Sequence, residues 1–149
     1  MKKARLTDCN LLARIDQNSA DPLNKKIRMD KKVLVKLFED KIKKDFEFFL
    51  DEKKGFVEIN KEFSGYKNSE IYWLAVDKKY QKQGIGKKLV SFAESYCKDQ
   101  AKKGIYLYTH PLHKAAIKLY KKLGYQKVNV FPNYYSNGDA SILYGKLLK

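Results

Sequence analysis

The run SEIYWLAV, residues 69–76, passes straight into DKKYQKQGIGKK, residues 77–88. Behind it Ile85, Leu89, Phe92, Ala93, Tyr96 and Cys97 recur at helical spacing, and GIYLYTH, residues 104–110, follows. A strand, a glycine-bearing loop, a helix and a second strand in that order commit the stretch to an α/β layout. The near-continuous apolar end of the first strand predicts burial on both of its faces.

The flanking segments extend the same layout. KKARL can form a short first strand, and Thr7 or Asp8 can cap a helix carrying Leu11, Leu12 and Ile15, which ADPLN then breaks. Val33, Leu34, Leu37, Phe38 and Ile42 predict a second helix from Asp30 to about Lys43. DFEFFL and GFVEINKEF flank DEKK, a hairpin signal. LHKAAIKLYKKLGY reads as a helix stopped by Gly124, and strands at about Lys127 to Phe131 and Asp139 to Leu147 enclose PNYYSNG. The expected order is strand, two helices, three strands, helix, strand, helix, two strands. No repeat or linker interrupts it, so residues 1–149 are read as one α/β domain.

Composition narrows the function classes. A hydrophobic content of 44% supports a proper core at this length. No run approaches the ~18 apolar residues of a membrane span, and the basic start MKKARLTDCN lacks the apolar segment of a secretory signal, so a cytoplasmic, membrane-free protein is expected. Cys9 and Cys97 lie far apart without a cysteine or histidine at zinc-site spacing, so no metal is expected and both thiols are read as reduced. Neither His110 nor His113 has a cysteine or carboxylate partner close in sequence. The net charge of +15 is spread along the chain, mostly on lysine. Such a charge attracts anions and permits nucleic-acid contact, but only Arg5, Arg14 and Arg28 supply the bidentate fork that base readout favours.

The loop is the most informative segment. Gly84 and Gly86 lack the Cβ that would keep a phosphate off the backbone at the start of a helix, where free N–H groups and the macrodipole favour an anion. Lys82, Lys87 and Lys88 add positive charge. A dinucleotide fingerprint needs a third glycine where Leu89 stands, and a Walker A loop needs glycine at Gln81 and Ser or Thr at Lys88.

The segment LAVDKKYQKQGIGKKLV resembles the acyl-CoA-binding motif of the GNAT superfamily of N-acetyltransferases, its core supplied by Gln81, Gly84 and Gly86. HKAAIKLYKKLGY is similar to the family's Asn-x-x-Ala-x-x-x-Tyr helix, with His113 in place of the usual Asn. The resemblance implies a mixed central sheet with helices on both faces and two splayed parallel strands that bind acetyl-CoA. It assigns pantetheine to the backbone of Leu74, Ala75 and Val76, and the pyrophosphate to Gln81, Lys82, Gln83, Gly84, Ile85, Gly86 and Lys87. His113 is carried over as a cofactor contact.

For catalysis the same resemblance makes Tyr120 the general acid that protonates the departing thiolate. Glu70, four residues before Leu74, resembles the general base of histone-type lysine acetyltransferases. Alternation along the strand would place Glu70, Tyr72, Leu74 and Val76 on one face. NYYSNGDASILY resembles a segment of ribosomal-protein and archaeal-type protein N-terminal acetyltransferases, which implies a peptide acceptor under Tyr134 and Tyr135. Those enzymes carry a Glu where this chain has Tyr108, which puts α-amine specificity in doubt, gives more weight to Glu70 as the base against a solvated strand-start charge, and keeps lysine and small amines, polyamine or aminoglycoside-like, as competing acceptors. A silent acyl-CoA-binding or nucleic-acid-binding module is the reading from another class. Tyr120 argues against silence, and the lack of clustered arginines among exposed aromatics argues against RNA. Monomer and homodimer remain open.

Overall fold

The computed structural model describes residues 1–19 and 29–149. The expected break at ADPLN lies outside the described residues. The elements run β1 (Lys2–Lys3), α1 (Cys9–Asn18), α2 (Lys31–Lys43), β2 (Glu47–Asp51), β3 (Gly55–Asn60), β4 (Asn68–Val76), α3 (Ile85–Asp99), β5 (Gly104–Thr109), α4 (Lys114–Lys122), β6 (Gln126–Phe131) and β7 (Ser141–Leu147). This is the order expected from the sequence.

All seven strands form one mixed sheet in the order β1-β2-β3-β4-β5-β7-β6. Every neighbouring pair is antiparallel except β4 with β5. On one face Leu12, Ile15, Leu34 and Phe38 of α1 and α2 pack on Phe48, Leu50, Phe56 and Ala75. On the other, Leu89, Val90, Ala93 and Cys97 of α3 and Tyr120 of α4 cover Val57, Ile59, Ile71, Ile105 and Leu107. Burying a side chain such as Phe38 contributes about 1.5–3 kcal/mol, and its ring meets Phe48 and Phe56 edge-on. Among the described residues no helix is long and apolar enough to cross a membrane.

Local chemistry explains the element ends. The Asp30 carboxylate caps α2 by accepting from Lys32 N at 2.8 Å. Gly124, with φ +90°, ends α4 in a Schellman arrangement: Tyr125 N donates to Tyr120 O (3.0 Å) and Gly124 N to Lys121 O (3.1 Å). That cap sets the Tyr120 and Tyr125 rings 5.8 Å apart.

Strand β4 departs from the sequence reading in two ways. Glu58 pairs with Trp73 but Ile59 pairs with Ile71, so Tyr72 is an extra, bulged residue. The bulge reverses the alternation: Ile71, Leu74 and Val76 face α3, while Trp73 and Ala75 face α1 and α2. Glu70 therefore lies on the α1/α2 face and does not share a face with Leu74 and Val76. The expected burial on both faces also fails at this end, where Tyr72 is 57% exposed and Leu74 and Val76 are half-buried. The cause is the pairing of β4 with β5, which covers only Asn68 to Glu70 against Gly104 to Tyr106.

Candidate active site

Beyond Glu70 and Tyr106 the two parallel strands have no further pairing, although β4 runs on to Val76 and β5 to Thr109. One edge of Leu74, Ala75 and Val76 is held by Val57, Phe56 and Gly55 of β3, and the other edge faces the parting. A backbone edge with no strand partner can accept an extended, amide-bearing ligand as if it were a strand.

The loop beneath the strand end leaves backbone amides open at the start of α3. Asp77, fully buried, accepts from Lys79 N at 3.0 Å and starts a turn through Tyr80. Gln81 Nε2 donates to Val76 O at 3.0 Å, tying the loop to the strand it leaves. Lys82 (φ +59°) and Gly84 (φ +83°) are both left-handed, two sharp backbone turns immediately before α3. Lys88 N donates to Gly84 O and closes the first helical turn at 2.9 Å, leaving the amides of Ile85, Gly86 and Lys87 without a helical acceptor. A Cβ at Gly84 would meet nothing within 4 Å, so open space lies over the loop there.

Two details add to the sequence reading. Lys88 points away to Asp51, with Nζ 2.6 Å from Oδ1, so its charge is committed to the β2–β3 hairpin. Gly86 also has a packing reason to be glycine: a Cβ there would sit 3.2 Å from Leu119 Cδ2 of α4. Lys82 and Lys87 are exposed with no ion-pair partner among the described residues, and Gln83 Nε2 bonds back to Lys79 O at 3.2 Å.

Tyr120 lies on the α3/α4 side of the sheet, 6% exposed, between the rings of Tyr125 and Tyr144. Burial pushes its phenol well above the usual range, so it remains protonated at neutral pH. His113 stands at the N-terminal boundary of α4, half-buried, with its ring 6.1 Å from that of His110.

The α1/α2 side carries a second constellation. Glu70 is 7% exposed and accepts from Asn60 Nδ2 at 3.4 Å. Burial raises its pKa, opposed by the Asn60 bond and by the Lys41 charge. Tyr108 stacks on Tyr134 with ring centres 5.1 Å apart and meets Phe63 and Phe131, each at 6.0 Å. Burial, and after it the Glu70 charge, raises the Tyr108 phenol. For Tyr134 burial is again the first cause, followed by Tyr108, Tyr135 and Glu70. Tyr134 is half exposed, whereas Tyr135 turns inward, its hydroxyl 3.4 Å from Ser141 Oγ.

Sequence reasoning missed what pins this loop. His110, buried at the end of β5, lies with Nε2 2.8 Å from Asp139 Oδ2, and its Nδ1 accepts from Leu112 N at 3.0 Å. An acceptor Nδ1 places the proton on Nε2, which donates to the carboxylate. Asp139 O in turn accepts from the amides of Tyr134 (3.0 Å) and Tyr135 (3.1 Å). With both nitrogens engaged, His110 is a fastener for the tyrosine loop. The partner stands 29 residues away, so only the fold brings it near.

A protein-family model described as Acetyltransferase (GNAT) family matches residues 17–125. This chain belongs to the GNAT family. Among GNAT relatives, the N-alpha-acetyltransferase of Sulfurisphaera tokodaii is 32% identical over 78 residues, which is 52% of this chain and 47% of that protein. The chain spans less than half the length of the curated relatives it matches. The crystal structure of Ard1 from Thermoplasma volcanium superposes with a TM-score of 0.78 at 21% identity, covering 99% of this chain and 96% of that one. The structure of yncA from Salmonella typhimurium, a putative acetyltransferase with its cofactor acetyl-CoA, gives a TM-score of 0.74 at 18% identity, covering 99% and 92%. Both structural likenesses establish the GNAT fold.

Proposed function

We propose that this chain transfers the acetyl group of acetyl-CoA directly to a primary amine, and that the acceptor is the amine of a protein or peptide. The observation that carries the reading is the parting of β4 from β5, directly above a glycine-opened helix start. Pantetheine fits the free edge of Leu74, Ala75 and Val76, with the Val76 carbonyl already shared with Gln81. The pyrophosphate fits the amides from Gln83 to Lys87, with Lys82 and Lys87 as counter-charges. His113, at the start of α4, remains a candidate contact of the same cofactor.

The two sides of the sheet divide the chemistry. On the α1/α2 side Glu70 accepts the proton of the acceptor amine, whose nitrogen then attacks the thioester carbon. As the C–N bond forms and the C–S bond breaks, Tyr120 on the α3/α4 side gives its proton to the departing sulfur, and the second proton that the nitrogen sheds on becoming an amide restores the phenol by way of water. Only where the strands part can groups on opposite faces act on one substrate, which is why an acid and a base on different faces are compatible. Mutating Glu70 to Gln is expected to lower kcat at neutral pH by roughly 10²-fold, the scale of losing a general base. Activity should recover partly at alkaline pH, where more of the acceptor is already neutral. A parent-like pH profile in the folded variant would remove Glu70 from the mechanism.

A peptide acceptor is favoured by the stacked Tyr108 and Tyr134 beside Glu70, a flat apolar wall larger than a thin polyamine chain needs. The double variant Tyr134→Ala/Tyr135→Ala is expected to raise the KM for a peptide about tenfold or more, while acetyl-CoA binding stays within about twofold. Steady-state kinetics with each substrate varied in turn checks this. If no acceptor responds to the tyrosines, the small-amine reading replaces the peptide one.

A further inference from the structure

One buried charge pair has no part in the chemistry proposed so far. Glu58, on β3, is fully buried, and Lys41 of α2 reaches it with Nζ 2.8 and 2.9 Å from the two carboxylate oxygens. The Lys41 ammonium is only slightly exposed and lies within 6 Å of four ring centres, the nearest being Tyr72 at 4.2 Å, then Phe46 at 5.0 Å. Aromatic faces hold a cation in place without neutralising it.

The location matters because Glu58 and Asn60 sit two residues apart on one face of β3, and Asn60 is the register partner of Glu70. Glu58, Lys41 and Glu70 thus share one buried patch. The groups around Glu70 are Asn60 and Glu58 from β3, Lys41 from α2, Tyr72 on its own strand, Tyr108 from β5 and Tyr134 from the β6–β7 loop. Lys41 is the only cation in that set. Two carboxylates and one ammonium leave one carboxylate without an ion-pair partner, and the geometry determines which: Lys41 bonds both oxygens of Glu58, and Glu70 keeps only a long amide contact.

We propose that the Lys41–Glu58 pair is a positioning device that sets the proton affinity of Glu70, holding Lys41 close enough to keep Glu70 ionisable yet bound elsewhere so that Glu70 stays free to take a proton. The inference rests on Glu70 as the base. If Glu58 were neutral, Lys41 would turn its charge to Glu70 and make it too weak a base. If Lys41 were absent, burial would be unopposed by any cation and would hold the proton on Glu70 at working pH.

The device predicts shifts of opposite sign. Glu58→Gln should move the acid limb of kcat/KM down by about one pH unit, and Lys41→Met should move it up by about one unit, the scale of an opposite charge at this range. The double variant Lys41→Met/Glu58→Gln removes one charge of each sign from the patch, and its limb should return to within about half a unit of the parent. Should Lys41→Met fail to fold, Glu58→Gln against the double variant still tests the sign. A carboxylate titration of Glu70 by NMR reads the same shifts without turnover. Shifts of one sign in both single variants, or an unmoved Glu70 titration, would overturn the proposal. If Glu70 titrates as expected but Glu70→Gln keeps the parent's acid limb, the device stands and the assignment of the base falls.

Discussion

A Gly84→Asp variant is expected to fold and to lose the thermal stabilisation that CoA confers on the parent protein. Gly84 is left-handed, a conformation that Asp tolerates better than most residues, and a Cβ there meets nothing within 4 Å. The new carboxylate would stand over the free amides of α3, where the phosphate should lie, and would repel it. In the parent, CoA at about 100 times its Kd stabilises by about 2.7 kcal/mol. For a chain of this size that corresponds to a rise in Tm of roughly 5–10 °C. The variant should show almost none. The same change at Gly86 would be harder to interpret, because its Cβ would press on Leu119 Cδ2 at 3.2 Å. A folded Gly84→Asp protein that CoA protects as well as the parent would mean that the phosphates bind elsewhere.

The second large effect is expected from Tyr120→Phe. The phenol is buried, held protonated, and fixed by the Schellman cap that sets its ring against Tyr125. Removing the oxygen leaves that packing intact, so stability and CoA affinity should change little. Turnover should fall by roughly 10²-fold or more, the scale of losing a general acid. Pre-steady-state measurement with a poor leaving thiol and a good one sharpens the test: the loss should be larger for the thiol of higher pKa, which depends more on being protonated. An equal, small loss with both would make Tyr120 a packing residue.

Much of this arrangement was legible in the sequence, and the exceptions share a cause. Element order followed from local periodicity and punctuation, from the DEKK turn to Gly124 at the end of α4. The loop from Gln81 to Lys87 was legible because glycine spacing at a strand-to-helix junction is a local signal, and the family resemblance rested on the same residues. What remained hidden depended on long-range pairing. The bulge at Tyr72 exists only relative to β3, yet it moves Glu70 to the other face of the sheet. The Lys41–Glu58 pair spans 17 residues, His110–Asp139 spans 29, and Lys88–Asp51 spans 37. Each looks in sequence like a solvated charge. Gly86 was ambiguous for a related reason, since its close approach to Leu119 of α4 cannot be read from the loop.

Acetyl is expected to move from CoA to an amine at the parting of β4 and β5. This transfer is tested most directly by mixing the protein with acetyl-CoA and a panel of free-amine peptides, polyamines and aminoglycosides, then following thiol release together with product mass. Stoichiometric release of CoA thiol and an acetylated peptide amine are expected, both lost in Gly84→Asp and sharply reduced in Tyr120→Phe. Tight CoA binding with no acetylated product from any amine class would contradict the transfer and leave a cleft that binds without transferring.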